Sequence, residues 1–199
     1  VKRGFFRADR ELWEENTVSP LRQRSTAEQA QAYLRHQKII LTETGVSLAD
    51  EAAMTPKILK RLQQLSEGMR FAVFGDVLLT LKTLKAKKLK VGLLTNLDRD
   101  MSLLSRELGL QEYLDFVVTS AEAGADKPAP PIFEMALQRA DVRASEAVHV
   151  GDQYKLDVLG ARGVGIVPIL IDRDDFYPEV TDCRRIHSLT EVIDLLPIL

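Results

Sequence analysis

Ala147-Val148-His149-Val150-Gly151-Asp152-Gln153-Tyr154-Lys155-Leu156-Asp157 decides the fold. A short, largely apolar run stops at a glycine and a carboxylate, and a helical stretch over 155–162 follows. A run of that kind, bounded by turn residues and succeeded by a helix, reads as a strand buried on both faces, the unit of a parallel sheet. The unit recurs along the chain. Val91-Gly92-Leu93-Leu94 precedes a helical stretch over 101–108, and Phe116-Val117-Val118 precedes one over 131–140. Ile166 to Ile171 closes the series, and a helix over 77–87 opens it. Short strands alternating with helices predict an α/β fold, a doubly wound parallel sheet covered on both faces. Pro168 has no amide donor, so its strand is expected to lie at an edge or to begin there.

Before Phe71 the pattern changes. Ser25 and Glu28 have capping-box spacing, and Ala30, Tyr33, Leu34, Ile40 and Leu41 follow at helical intervals until Gly45 supplies a stop. Thr55 and Pro56 read as an N-cap and first helical residue, ahead of a stripe of Ile58, Leu59, Leu62 and Leu65 that Gly68 closes. Phe5 to Asn16 reads as a further helix with Trp13 on its buried side. No strand is expected here. The chain therefore divides into a helical segment over 1–70 and an α/β part over 71–199.

Apolar residues make up 45% of the chain and charged ones 28%, which excludes wholesale disorder. Lysine and arginine number 27 against 29 aspartates and glutamates, a net charge of −2. That balance argues against nucleic acid or an anionic membrane as the main partner. The longest apolar run, 164–171, is far short of the roughly 20 residues a membrane span needs. Cys183 is the single cysteine, so neither an internal disulfide nor a cysteine-rich zinc site is available, and no signal-peptide pattern opens the chain. A cytoplasmic location is expected. Lys82, Lys85, Lys87, Lys88 and Lys90 read as a solvated helix face and helix end. Gly160, Gly163 and Gly165 follow a helix instead of opening one, which is wrong for a dinucleotide loop. His36 and His187 stand in no partner pattern, and His149, mid-strand, reads as structural.

Ligands of doubly wound sheets bind outside the carboxyl ends of the strands. The first strand delivers Thr95 and Asn96 there, and the third delivers Gly151 and Asp152, with Asp157 at the head of the next helix. Lys127-Pro128 follows the small-residue loop Gly124-Ala125-Asp126. Two carboxylates offer hard oxygen ligands for Mg²⁺. A lysine and a hydroxyl can hold phosphate oxygens and offset charge developing on them. Each residue alone has an ordinary alternative: Thr95 or Asp152 as a helix cap, Lys127 as surface.

In this order and at these strand ends, Leu-Leu-Thr95-Asn96, Lys127-Pro128 with Ile132-Phe133, and Val148 to Asp157 with Gly160-Ala161 resemble the second, third and fourth motifs of the haloacid dehalogenase-like hydrolase superfamily. The resemblance covers about Phe71 to Asp172, and the segment over 1–70 is similar to the helical cap domain of one large subgroup. It implies a Rossmann-like core under that cap. It implies further that Thr95 and Asn96 bind a phosphoryl group with Lys127, that Thr95 and Lys127 serve catalysis, that Asp152 holds Mg²⁺, and that Asp157 supports the metal directly or through water. The implied activity is Mg²⁺-dependent hydrolysis of a small phosphorylated metabolite through an aspartyl-phosphate. Metal-free dehalogenation of a 2-haloacid is the other enzymatic reading; Asp152 and Thr95 speak against it.

The family's first motif, an apolar strand ending in Asp-x-Asp, supplies the nucleophile and the general acid and base. No such strand stands ahead of the helical segment. Asp98 and Asp100 lead into a helix, and Asp76 lies where the helical segment rejoins the core. Asp172 and Asp174 mimic the spacing after a later strand, with Asp175 where the motif prefers glycine. Two readings stay open. The chain is a piece of a longer protein that begins after that strand, and by itself inactive for want of the nucleophile. Or the natural protein lacks the motif and is a non-catalytic interaction module. The missing strand would run between those ending at Thr95 and Asp152, leaving a gap of about 10 Å, two strand spacings.

Overall fold

The computed structural model of the chain describes residues 2–19, 21–43, 45, 56, 71–97 and 100–196. The chain forms two compact units, Val1–Arg70 and Phe71–Leu199.

In the first unit, α1 (Lys2–Val18) and α2 (Thr26–Glu43) pack on each other through Ala8, Leu12, Ala32 and Ile40. The turn between them is fixed by Asn16, buried, whose Oδ1 accepts the Leu21 amide at 2.6 Å. The capping box forms as the spacing predicts: Ser25 N donates to Glu28 Oε2 at 2.8 Å and Glu28 N to Ser25 Oγ at 3.3 Å. Gly45, at φ +83°, follows the end of α2 and donates to Thr42 O. Charged pairs lace the outside, Arg7 with Glu43 and Arg35 with Glu15. Two expectations are corrected. Leu12 is the buried residue and Trp13 only half so, because Ala8 and Leu12, four apart, share the contact face. Tyr33 and Ala30 are exposed, and the inward stripe of α2 is Ala32 and Ile40. The predicted stripe from Ile58 to Leu65, with Thr55 and Gly68, lies outside the described residues; Pro56 is helical.

The second unit runs α3 (Val77–Ala86), β1 (Gly92–Thr95), α4 (Met101–Glu107), β2 (Phe116–Thr119), α5 (Ser120–Ala123), α6 (Pro130–Ala140) and β3 (Val148–Gly151). It continues through a π-turn (Tyr154–Val158) into α7 (Leu159–Gly163), β4 (Val167–Ile171), β5 (Arg184–Ile186) and α8 (Val192–Leu195). All strand pairs are parallel, in a two-stranded sheet β1-β2 and a three-stranded sheet β3-β4-β5. No backbone pairing joins β1 to β3. One core cluster gathers Val118, Ile132, Phe133, Ala136, Ala161 and Ile166 between α6, β2 and α7. Another gathers Ile169, Ile186 and Val192 behind β4. No helix among the described residues is long and apolar enough to cross a membrane.

The strand carrying Pro168 lies at the centre of its sheet and not at an edge; the other expected position, the start of the strand, is met to within one residue. The reason is directional. Val167 N donates to Ala147 O on the β3 side, so the next residue faces β5, where pairing begins only at Ile169 with Arg184. Pro168 sits where no donor is required. β5 has no apolar run to betray it: two of its three residues are arginines, as befits an edge strand. Of the lysine cluster, Lys82, Lys87 and Lys88 are exposed, Lys85 pairs with Asp115 at 2.6 Å and Lys90 donates to the carbonyl of Ala140.

Candidate functional site

β1 ends in Thr95, whose Oγ1 accepts the Leu97 amide at 3.1 Å. The hydroxyl thus closes a tight turn off the strand and keeps its own proton as a donor. The cap of the following helix is a different residue, Asp100, which accepts from Ser102 N and Leu103 N. Asn96 next to it clasps the main chain of Lys127 from both sides: Lys127 N donates to Asn96 Oδ1 at 2.8 Å, and Asn96 Nδ2 donates to Lys127 O at 3.3 Å. Residues 31 apart in the chain are locked together at the strand end. The loop carrying Lys127 enters α6 through Pro130 and Pro131, which set the first helical turn.

Lys127 then reaches the other sheet. Its Nζ donates to Asp157 Oδ1 at 2.6 Å, with the lysine side chain 14% exposed and the carboxylate 3%. The same oxygen lies 3.1 Å from Nε2 of His149, in the middle of β3. Asp157 Oδ2 accepts the amide of Gln153 at 3.0 Å. The π-turn places Asp157 so close to the strand end that a β-carbon on Gly151 would stand 2.1 Å from Asp157 Cγ; only glycine fits there. Burial works against ionisation of Asp157. The hydrogen bond from His149 and the charge of Lys127 outweigh it and hold the carboxyl well below the usual carboxylate range.

Thr95, Asn96, Lys127 and Asp157 are therefore joined by one path of hydrogen bonds and chain that links the carboxyl ends of β1 and β3. Asp152 is exposed immediately after β3. The two acids of this turn stand in opposite surroundings. Mg²⁺ takes about six oxygens, several of them water, with one or two carboxylates, and Asp152 suits such a ligand. Asp157 is occupied by an ammonium, an imidazole and an amide, which suits a counter-ion for Lys127 better than a metal ligand. Among the described residues no three metal-ligating side chains gather into a site, so this chain's described part supplies one well-placed carboxylate and not a closed ligand set.

Three of the other acids weighed from the sequence, Asp76, Asp172 and Asp100, have structural employment. Asp76 is held by Arg173 at 2.8 and 3.0 Å, by Ser188 Oγ and by the Leu189 amide. Asp172 is buried and accepts the amides of Phe176 and Tyr177, organising the turn after β4. Asp100 caps α4, and Asp98 lies outside the described residues. His149, read from the sequence as structural, lies 3.1 Å from Asp157 Oδ1, a contact the sequence reading did not anticipate. Its signal was available in its alternation, since a mid-strand histidine two residues before Gly151 shares a face with that strand end.

A doubly wound core with a paired lysine at its strand ends defines the class, and comparison with known proteins names it. The family model of haloacid dehalogenase-like hydrolase matches residues 5–165, and the chain belongs to that family. It is similar to haloacid dehalogenase-like hydrolase domain-containing protein 3 of Mus musculus, 38% identical over 152 residues, which is 75% of this chain and 61% of that protein. It is also similar to ribulose-1,5-bisphosphate 5-phosphatase of Halopiger xanaduensis, 44% identical over 94 residues, 47% of this chain and 39% of that protein. Among solved structures, a HAD phosphatase from Thermococcus onnurineus superposes with a TM-score of 0.60 at 27% identity, covering 80% of this chain and 69% of that one. The chain thus spans only part of the length of these relatives.

Proposed function

We propose that this chain forms the cap and most of the core of a Mg²⁺-dependent hydrolase of small phosphorylated metabolites. The reaction runs through an aspartyl-phosphate formed on a strand seated between β1 and β3. The observation that carries the reading is Lys127, pinned by Asn96 at its main chain and by Asp157 at its ammonium, between the ends of two sheets. One ammonium proton is spent on Asp157; the others are directed to phosphate oxygens. The Thr95 hydroxyl donates to the same phosphoryl group. Both donors are fixed before substrate arrives, so charge that develops on the phosphoryl oxygens meets oriented dipoles without reorganisation. Asp152 would hold Mg²⁺, which supplies charge neutralisation at the phosphate.

The seat for the nucleophile's strand has support in the sheets. Leu93, Leu94, Val148 and Val150 are only half-buried, while Ile169 and Leu170 of β4, flanked on both sides, are sealed. Central strands of a parallel sheet are apolar because both faces and both edges are covered. Among the described residues β1 pairs only with β2 and β3 only with β4, each along one edge. Neither Thr95 nor Lys127 replaces a carboxylate nucleophile: among the described residues no base is placed on the Thr95 hydroxyl, and the lysine is a paired ammonium.

The test is turnover of p-nitrophenyl phosphate with and without Mg²⁺. The chain alone is expected to show none. The chain preceded by an apolar strand ending in Asp-x-Asp is expected to turn over with Mg²⁺, and Lys127→Ala in that form to lose about a hundredfold or more. Metal-dependent turnover by the chain alone, or none by the completed form, would overturn the reading.

A further inference from the structure

We propose that His149 is a positioning residue: through Asp157 it sets where the Lys127 ammonium stands. The proposal rests on the phosphate-site reading for its functional meaning, and on geometry alone for its substance.

Asp157 Oδ1 is shared by two nitrogen donors, Lys127 Nζ at 2.6 Å and His149 Nε2 at 3.1 Å. A carboxylate only accepts hydrogen bonds, so Nε2 must carry a proton in either charge state of the ring. His149 therefore acts as an N–H donor and needs no titration to do so. The other carboxylate oxygen is tied to the backbone at Gln153 N. With Oδ2 held by the chain and Oδ1 held by the imidazole, the carboxylate has one orientation, and the lysine has one place to go.

The imidazole itself cannot swing away. Its ring meets Phe133 edge-on, with centroids 5.2 Å apart and planes at 84°. Phe133 is completely buried in the core cluster and presses on α7 at Gly160, where a β-carbon would stand 2.6 Å from Phe133 Cε2. Close-packed interiors transmit such constraints because there is no free volume to absorb them. A continuous path therefore runs from Gly160 through Phe133 and His149 to Asp157 and Lys127, each step a direct contact. A histidine serving only as core filler would have no use for a nitrogen aimed at a buried carboxylate. Phenylalanine would fill that space.

That contrast defines the experiment. The rate at which Lys127 is reductively methylated reads how firmly its ammonium is held, and it needs neither turnover nor metal. It is measured by mass spectrometry on the whole chain as wild type, His149→Phe, His149→Gln and Asp157→Asn. Phenylalanine keeps the ring and its packing and removes the donor; glutamine keeps an N–H at about the place of Nε2. Wild type and His149→Gln are expected to protect Lys127 alike. His149→Phe is expected to raise the rate roughly tenfold, equivalent to about 1.4 kcal/mol of lost restraint, and Asp157→Asn to raise it at least as much. Equal protection in His149→Phe and wild type, with Asp157→Asn deprotected, would show that the histidine is filler and overturn the proposal.

The ring nitrogens of the unmutated protein give a second reading that no folding defect can obscure. In ¹⁵N-edited NMR His149 must show a protonated Nε2; an unprotonated Nε2 would refute the geometry. Failure of the phosphatase reading is separate. In that case Lys127 protection would follow His149 as stated, while saturating inorganic phosphate would leave the Lys127 methylation rate of the wild type unchanged.

Discussion

Asp76 and Asp157 are both carboxylates in the α/β unit gripped by a cation, and they are built to opposite ends. Asp76 receives two bonds from Arg173, one on each oxygen, and its Oδ2 also accepts from Ser188 Oγ and the Leu189 amide. It ties the start of α3 to the turn before α8, and Arg173 also lies over the ring of Phe74 with its guanidinium carbon 4.1 Å from the centroid. Asp157 is the more buried of the two, 3% exposed against 14% for Asp76. It is paired to a lysine, whose ammonium has donors left over, not to an arginine whose planar fork matches a carboxylate on both oxygens. A saturated pair closes a structure. Lys127 stands instead at the ends of parallel strands, where ligands of such sheets bind, and that position is what the proposed phosphate site uses.

The largest effect should come from Asp157→Ala. Removing one member of a buried pair strands the other, so Lys127 and the polar nitrogen of His149 lose their shared acceptor at once. The expected loss is about 3 kcal/mol of folding free energy, the lower end for broken buried pairs because Lys127 is partly exposed. Urea unfolding of the variant and wild type measures it. A loss below about 1 kcal/mol, the range of surface pairs, would mean that the two aspartates are not different in kind.

Asp76→Asn should cost less, about 1–2 kcal/mol at neutral pH, because the amide keeps the shape and can still accept from the hydroxyl and the backbone. Its pH dependence sharpens the comparison. The bond from Arg173, opposed by partial burial and helped by the Leu189 amide and Ser188, holds the Asp76 carboxyl well below its usual value. A carboxyl with a depressed folded pKa gives stability that is complete above its ordinary value of about 4 and is lost as pH falls below it. The gap between wild type and Asp76→Asn should therefore be constant from neutral pH down to about pH 5 and close in stronger acid. A gap that widens in acid would reverse the sign and remove the argument.

Much of this could be read before any coordinates. The alternation of strands with helices, the capping box at Ser25 and the loop residues at strand ends are local signals, and local propensity carries them. The parallel core and the family followed from those signals together. What escaped reading is non-local. Nothing in the sequence says that Asn96 holds the backbone of Lys127, or that His149 rather than solvent faces Asp157, because those contacts join separate elements. The central position of β4 escaped because the rule about proline in strands concerns a missing donor, and the direction of that donor depends on where β5 begins pairing. β5 escaped because its arginines give it no apolar signature, and they are there to pair, Arg185 with Asp172. Of the acids weighed as a nucleophile, Asp76, Asp100 and Asp172 proved to be an anchor, a cap and a loop organiser, which sequence spacing alone could not separate from chemistry.

The smallest effect on stability belongs to Asp152→Asn, and it is the most informative about function. Asp152 is exposed directly after β3, and a shape-preserving change at an exposed position shifts stability by about 0.5 kcal/mol or less. Its consequence should appear only with metal. A ligand that binds the folded state alone stabilises it by an amount that grows with concentration over the dissociation constant, about 2.7 kcal/mol at a hundredfold excess. If Asp152 is the carboxylate that holds Mg²⁺, thermal unfolding of the completed form should rise with Mg²⁺ in the wild type and not in Asp152→Asn. Asp157→Asn, tested alongside at a temperature where it is folded, should keep a metal-dependent rise, because Asp157 serves Lys127 and not the ion. A metal response lost in Asp157→Asn and kept in Asp152→Asn would exchange the roles of the two acids. It would place the ion inside the turn, where the structure has a lysine.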